Sequence, residues 1–522
     1  MSGVRGVVAA GHAVSARAGA EVLRAGGNAV DAALGAMLAA LTCEPLLTGL
    51  GAGGYMLVVR AGATPVLLDF FVEAPGRKAA GAGTAAAVEP GGVPAVEPGG
   101  VAAVEPARVP AAGELVPVDV SFGDAVQTFH VGPASVGTYG FPAGVCEAQR
   151  RFGTIPLAEL VAPAARLARE GVPLSPEQAY IVEILAPTVR STPECAALFA
   201  PGGRLLGAGD RFRQPELGDA LERLGHEGSE PFYTGEIGAA IVDWLRDRGG
   251  LVGGEDLAAY EVIAREPLRV AYRGRDVLTN PPPSPGGLLL AAALGALDRA
   301  PSPPPVTALA DVMQAAQEAR TAEFLHGLPE PGFARRFLER ASRLGSTTHV
   351  SVLDGDGGAC SVTCSNGSAS GVVVPGTGVH LNNMLGESDL NPEGFHRHPP
   401  GRRMPSMMSP TVLVRDGRPE LAVGSAGSNR IRSAILQTIV RCVDERMSAQ
   451  AAVEAPRIHY ENGVVCTEPG IDVAALEQAG RTVHTFRARN LFFGGVQAAE
   501  RGPDDVLSGG GDPRRGGAAV VV

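Results

Sequence analysis

Residues 16 to 41, ARAGAEVLRAGGNAVDAALGAMLAAL, carry two helical patterns broken at Gly26-Gly27, and the second is apolar nearly all the way round. A helix without a polar face has to be covered on every side, so other layers of structure must surround it. Asn28 is placed to cap this helix by accepting a backbone N–H. The longest apolar runs, Ala32 to Leu41 and Gly286 to Leu297, fall short of the ~18 to 20 residues a membrane-spanning helix needs. They are therefore read as buried helices of a soluble protein. At 522 residues the chain exceeds what one hydrophobic core supports, so two core regions or one large layered domain are expected.

The character of the chain changes along its length. Helical patterns cover 141 to 175 and, between glycine stops, 231 to 263; YRGRDVLTNPPPSPGG reads as a strand ending in a rigid proline turn, and LLLAAALGAL as a buried helix. After Gly345 short strands dominate. THVSVL and ACSVTCS are joined by DGDGG, a hairpin signal; GVVV and TVLVRDGRPELAVG follow, before RSAILQTIVRCVDERM, read as the final helix. Helices first and strands later predict a layered α+β architecture. Residues 79 to 113 differ in kind: VEPGGVPA, VEPGGVAA and VEPARVPA begin at Val88, Val96 and Val104. Such a Pro/Gly tract cannot bury enough apolar surface to form a core, and is expected to be a mobile surface insertion.

Charge and cysteine usage exclude several classes of function. A net charge of -11 without a basic block argues against nucleic acid or an anionic membrane as partner. The amino terminus lacks the pattern of a signal peptide and Met1 is read as the mature start. Seven scattered cysteines make no disulfide framework, which points to a reducing, cytoplasmic compartment.

Several apparent sites dissolve on inspection. Gly49 to Gly54 spell G-x-G-x-x-G, but the order is helix, glycines, strand, whereas a dinucleotide site needs strand, glycines, helix; a tight backbone approach is expected instead. His396 and His398 sit in a polar loop without further ligands at metal spacing. Cys360 and Cys364 share one strand, roughly 13 Å apart, too far to bridge. No G-x-S-x-G elbow is present. Thr347, in STTHVSVL, is left. Taken alone it is an ordinary strand residue. It becomes a nucleophile if cleavage at Ser346-Thr347 frees its α-amine, whose pKa of ~7.7 to 8.0 suits a general base.

The segment TTHVSVLDGDGGACSVTCSNGSASGVVVPGTGVHLNNML resembles the start of the small subunit of gamma-glutamyltransferases, members of the N-terminal nucleophile hydrolase superfamily. AGGNAVDAA, TGLGAGGYMLV, FYTGEIG, PSMMSPTVLV, GSAGSNRI and DPRRGG have counterparts there in the same order. The resemblance implies a four-layer αββα sandwich. It also implies a large-subunit region, 1–346, and a small-subunit region, 347–522, forming one intertwined catalytic domain after self-cleavage. Thr347 is then the nucleophile, Ser365 the second hydroxyl beside it, and Gly427 and Ser428 the pair whose N–H groups form the oxyanion hole. Asn366, Glu387 and Ser406 align with substrate-binding positions. No cofactor or metal is implied; the partners are a small amide, an amine or water acceptor, and the sister fragment, with a dimer of processed units allowed.

The sequence departs from that family where the α-carboxylate of a glutamyl group is bound. DFFVEAPGR puts Phe71 where the family has arginine, and paired serines become Ser406-Met407. Losing a bidentate guanidinium predicts weakened glutamate recognition, with Arg77 and Arg403 as first candidates to replace it. Three readings follow: a γ-glutamyl amidohydrolase and transferase of glutathione-like amides, an acylase of less polar amides resembling cephalosporin acylases, or a non-catalytic binding protein that keeps the fold.

Overall fold

The computed structural model describes residues 5–78, 113–121, 126–319, 328, 348–388, 390–391, 394–427 and 430–522. The Pro/Gly repeat lies outside the described residues. The helix that cannot face water, Ala29–Cys43, is buried at every position. Asn28 accepts from the N–H groups of Val30 and Asp31, and Asp31 returns a bond to the Asn28 N–H, closing a capping box. Asp31 also binds Thr154 through its N–H and hydroxyl, fastening the turn after Phe141–Phe152 to the same helix end.

Two antiparallel sheets cover this helix and each other. The first runs Ala518–Val521, Gly6–Ala10, Thr348–Asp354, Ala359–Ser365, Gly53–Val59, Val66–Phe70, Ile263–Arg265. The second runs Leu507–Gly511, Gly495–Arg501, Arg418–Ala426, Thr411–Arg415, Arg275–Thr279, Leu268–Tyr272. Residues on a strand alternate between faces, and the buried clusters follow that alternation. Val8, Val350, Val352, Cys360 and Val362 face the helices Ala13–Arg24 and Ala29–Cys43, while Val7, Leu353, Tyr55 and Leu57 pack between the sheets with Leu278, Val412 and Ala422. On the far side, Leu413, Leu421 and Val423 meet Pro285–Leu297 and Ile431–Val443. The result is a four-layer αββα sandwich. Among the described residues no helix is long and apolar enough to cross a membrane.

The hairpin at Asp354 joins Thr348–Asp354 to Ala359–Ser365, as its turn sequence predicts, and Asp354 also accepts from the Ala29 N–H. Cys360 and Cys364 both lie in Ala359–Ser365, and all seven cysteines are free. The glycine run enters a strand after a helix, as its order suggests. A Cβ on Gly51 would sit 2.5 Å from the His380 carbonyl oxygen and one on Gly54 2.3 Å from that of Thr363, so the glycines serve close backbone approach. One expectation is corrected: Ile431–Val443 is not the last helix, since Ala449–Glu454 and Val473–Gln478 follow, with further strands. Gly6–Ala10, GVVAA, is a further strand, not anticipated from the sequence; all five residues are buried, so it has no alternation to betray it.

Candidate active site

The Thr348–Asp354 strand, third of seven in the first sheet, packs across from Arg418–Ala426 and Gly495–Arg501 of the second. His349 and Ser351 point between the sheets: the imidazole bonds Thr363 and Ser351, and Ser351 donates to the Gln497 carbonyl. His349 lies against Gly424 of the opposite sheet, and Gln497, to which Ser351 donates, is the strand partner of that same Gly424. Burial without a charged partner drives the His349 pKa down to about 3, so the ring is neutral and structural at working pH. Thr348 pairs with Cys364, and Ser365 with Gly53.

Thr347 and Ser428 lie outside the described residues. Their neighbours Thr348 and Gly427 do not. Gly427 is buried with φ of 124°, a conformation that a side chain rarely adopts, and a Cβ there would meet Gly494 at 2.5 Å. Ser365 is buried, and its hydroxyl accepts from the Gly367 N–H at 2.7 Å. Asn366 is buried, donates to the His380 carbonyl, and has an Oδ1 without a partner. Glu387 accepts from the Ser368 N–H at 3.0 Å. Ser365 follows Cys364, the strand partner of Thr348, and Asn366 and Glu387 flank the turn at Gly367, whereas Gly427 lies against Gly494 and Arg515.

Ser406 is fixed by its own loop: its hydroxyl accepts from the Met408 N–H, which leaves its own proton as a donor, and its carbonyl accepts from the Gly286 N–H and the Ser284 hydroxyl. Met407 is buried with its backbone pressed against Gly286. Phe71 is fully buried and stacked on Tyr55, with ring centroids 5.4 Å apart. Packing therefore fills the position where the family pattern has arginine. Neither candidate replacement is available. Arg403 donates to the carbonyls of Phe71 and Glu261 and pairs with Asp69 and Glu73, while Arg77 pairs with Glu73 at 2.8 Å. His396 and His398 bond the carbonyls of Ala134 and Leu390.

One charged group beside Thr348 escaped sequence reasoning. Glu44 is buried beneath the strand and accepts from the Thr348 hydroxyl at 2.7 Å, while its other oxygen has no partner among the described residues. Gly11 makes room for it, since a Cβ there would lie 2.3 Å from the carboxylate. Burial pushes the Glu44 pKa up to about 7, against the opposing pull of the Thr348 bond and the Arg515 charge. The signal was available: a lone acid in the apolar run ALTCEPLLTGL.

The raised pKa carries a sign. Folding favours the protonated form, so the stability penalty is absent below the unfolded pKa of ~4.3 and grows as pH rises to about 7, reaching at most roughly 3 kcal/mol. Glu44→Gln should remove that slope. Denaturant titrations at pH 5 and pH 8 are expected to show the variant gaining on the wild type at the higher pH; a gap independent of pH would contradict the assignment.

The comparisons with known proteins agree with this geometry. The family model for gamma-glutamyltranspeptidase matches residues 15–104 and 103–522. The acylase ACY 1 proenzyme of Pseudomonas sp. (strain V22) is 31% identical over 557 aligned positions, spanning 100% of this chain and 94% of that protein. The glutathione hydrolase proenzyme of Escherichia coli (strain K12) is 29% identical over 98% of this chain and 90% of its own length. Among solved structures, the cephalosporin acylase from Bacillus halodurans superposes with a TM-score of 0.76 at 26% identity, covering 99% of this chain and 96% of that one. A four-layer sandwich with this sheet order is the architecture of the N-terminal nucleophile hydrolases. Within that class, the chain belongs to the gamma-glutamyltranspeptidase family.

Proposed function

We propose that the protein is an autoprocessing amidohydrolase and acyltransferase that cleaves γ-glutamyl or related amides through a threonyl ester at Thr347. In the first stage the Thr347 hydroxyl attacks the Ser346 carbonyl, the acyl group shifts from nitrogen to oxygen, and water releases two associated fragments, 1–346 and 347–522. In the second, the freed α-amine takes the hydroxyl proton as oxygen attacks the substrate amide and passes it to the departing amine. Water or an amine acceptor then resolves the ester. Ser365 supports the nucleophile, the N–H groups at Gly427 and Ser428 receive the oxyanion, and Asn366 and Glu387 bind the donor.

The observation that supports this reading is Ser365 next to Cys364, the strand partner of Thr348, with Glu44 bonded to the Thr348 hydroxyl and Arg515, whose charge acts on Glu44, lying beside the positive-φ Gly427. A retired scaffold has no need of that arrangement. The names of the relatives, glutathione hydrolase and acylase, support the amide class. Phe71 and Met407, both buried, favour an acylase with a less polar donor pocket as the second reading. Purified, processed protein incubated with γ-glutamyl anilides and simple acyl anilides should release the aniline from at least one series. No release from either, by protein shown to be cleaved after Ser346, would refute the proposal.

A further inference from the structure

We propose that Arg515 is an anion-binding residue of this site, holding a carboxylate of the substrate; this rests on the amidohydrolase reading above.

Arg515 ends the short turn Pro513–Arg515, which Asp512 caps by accepting from the Arg514 N–H. Gly516, in the left-handed conformation, then sends the chain into the edge strand Ala518–Val521. This fixes the direction of the Arg515 side chain. It crosses Gly495, where a Cβ would lie 2.4 Å from Cδ, and Nη2 comes to 3.6 Å from the Cβ position of Gly427. Gly495 thus clears its path, and the guanidinium ends beside Gly427.

The side chain is 8% exposed, its Nε is buried without a partner, and among the described residues none gives its guanidinium a hydrogen bond or an ion pair. The nearby carboxylates are committed elsewhere. Asp512 pairs with Arg457 and Arg514, and Glu44 holds the Thr348 hydroxyl; both act on Arg515 only through space. Other arginines nearby are bonded: Arg430 to the Phe492 carbonyl and Gln127, Arg514 to Glu468 and Asp512. Burial lowers the Arg515 pKa to about 10, which leaves it charged at neutral pH. A buried cation with a planar fork of donors and no hydrogen-bonded acceptor among the described residues is unfavourable until an acceptor arrives, and a carboxylate fits that fork with two parallel bonds.

The carboxylate could belong to the acyl part of the amide or to its amine part. Three anilides separate the cases: a γ-glutamyl anilide, the same acyl anilide with hydrogen replacing the α-carboxylate, and that uncharged compound with a carboxylate on the aniline ring. Processed wild type is expected to prefer one carboxylate-bearing anilide over the uncharged one by at least about 100-fold in kcat/KM. In Arg515→Met the preference should fall below about tenfold, and Arg515→Lys, which keeps the charge without the fork, should lie between. Calorimetric binding of the matching products, glutamate or 3-aminobenzoate, to processed protein should be lost in parallel. Binding lost with Arg515 in a protein that turns over no amide would sink the amidohydrolase reading and keep this one. If both variants retain the wild-type preference and product affinity, or the wild type shows no preference for a carboxylate, the proposal is overturned. Should Arg515→Met fail to process, the lysine variant decides the matter by the same comparison.

Discussion

Replacing Thr347 by alanine is expected to leave the protein as one uncut chain and to lower amide turnover by at least ~10⁴-fold, because the substitution removes both the hydroxyl that cuts the chain and the one that attacks the substrate. Removing a nucleophile that works as part of a unit typically abolishes all but the contribution of oxyanion donors and binding. Electrophoresis and amino-terminal analysis read the first effect, and anilide release reads the second. The two need not fall together. Thr347→Ser, which keeps a hydroxyl, should restore cutting and part of the turnover, whereas a loss due to misfolding would not be rescued.

The second large effect concerns the buried ion cluster around Asp512. Arg457 is fully buried and pairs with Asp512 at 2.7 Å, and Asp512 also accepts from the Val496 N–H and binds Arg514, which in turn pairs with Glu468. Burial alone would raise the Asp512 pKa, but Arg457 and Arg514 more than offset it and hold the carboxyl below its ordinary range. Asp512→Ala strands Arg457 in the interior, and breaking a buried pair by removing one partner costs roughly 3 to 5 kcal/mol. The loss is expected at neutral pH by denaturant titration. Since the folded pKa is depressed, this contribution is present above the unfolded pKa of ~3.9 and fades as acid titrates the folded carboxylate. The wild type and the variant should therefore converge in acid.

Local patterns carried much of the fold. The capping asparagine, the fully apolar helix and the Asp354 hairpin were legible because each is set by neighbours in sequence. The sheet order was not. Gly6–Ala10 lies between Thr348–Asp354 and Ala518–Val521, so the first described strand and the last flank the middle of the chain, and no local pattern encodes that pairing. The site divides the same way. Ser365 and Gly427 could be named from motifs, and Gly427 carries a backbone conformation that explains its residue type. Arg515 could not, because what sets it apart is burial among residues distant in sequence, and Glu44 showed only as a lone acid in an apolar run, its partner Thr348 lying 304 residues away. Phe71 was visible as a departure, but its stacking on Tyr55, which makes the position part of the core, was not.

The most direct test of the threonyl ester is the intact mass of the small fragment, 347–522, from protein quenched in acid during turnover of an acyl anilide. The account predicts that this fragment begins at Thr347 and carries the mass of one acyl group, lost on standing with hydroxylamine. Active protein whose fragments show no acyl increment, or whose only form is the uncut chain, would contradict it.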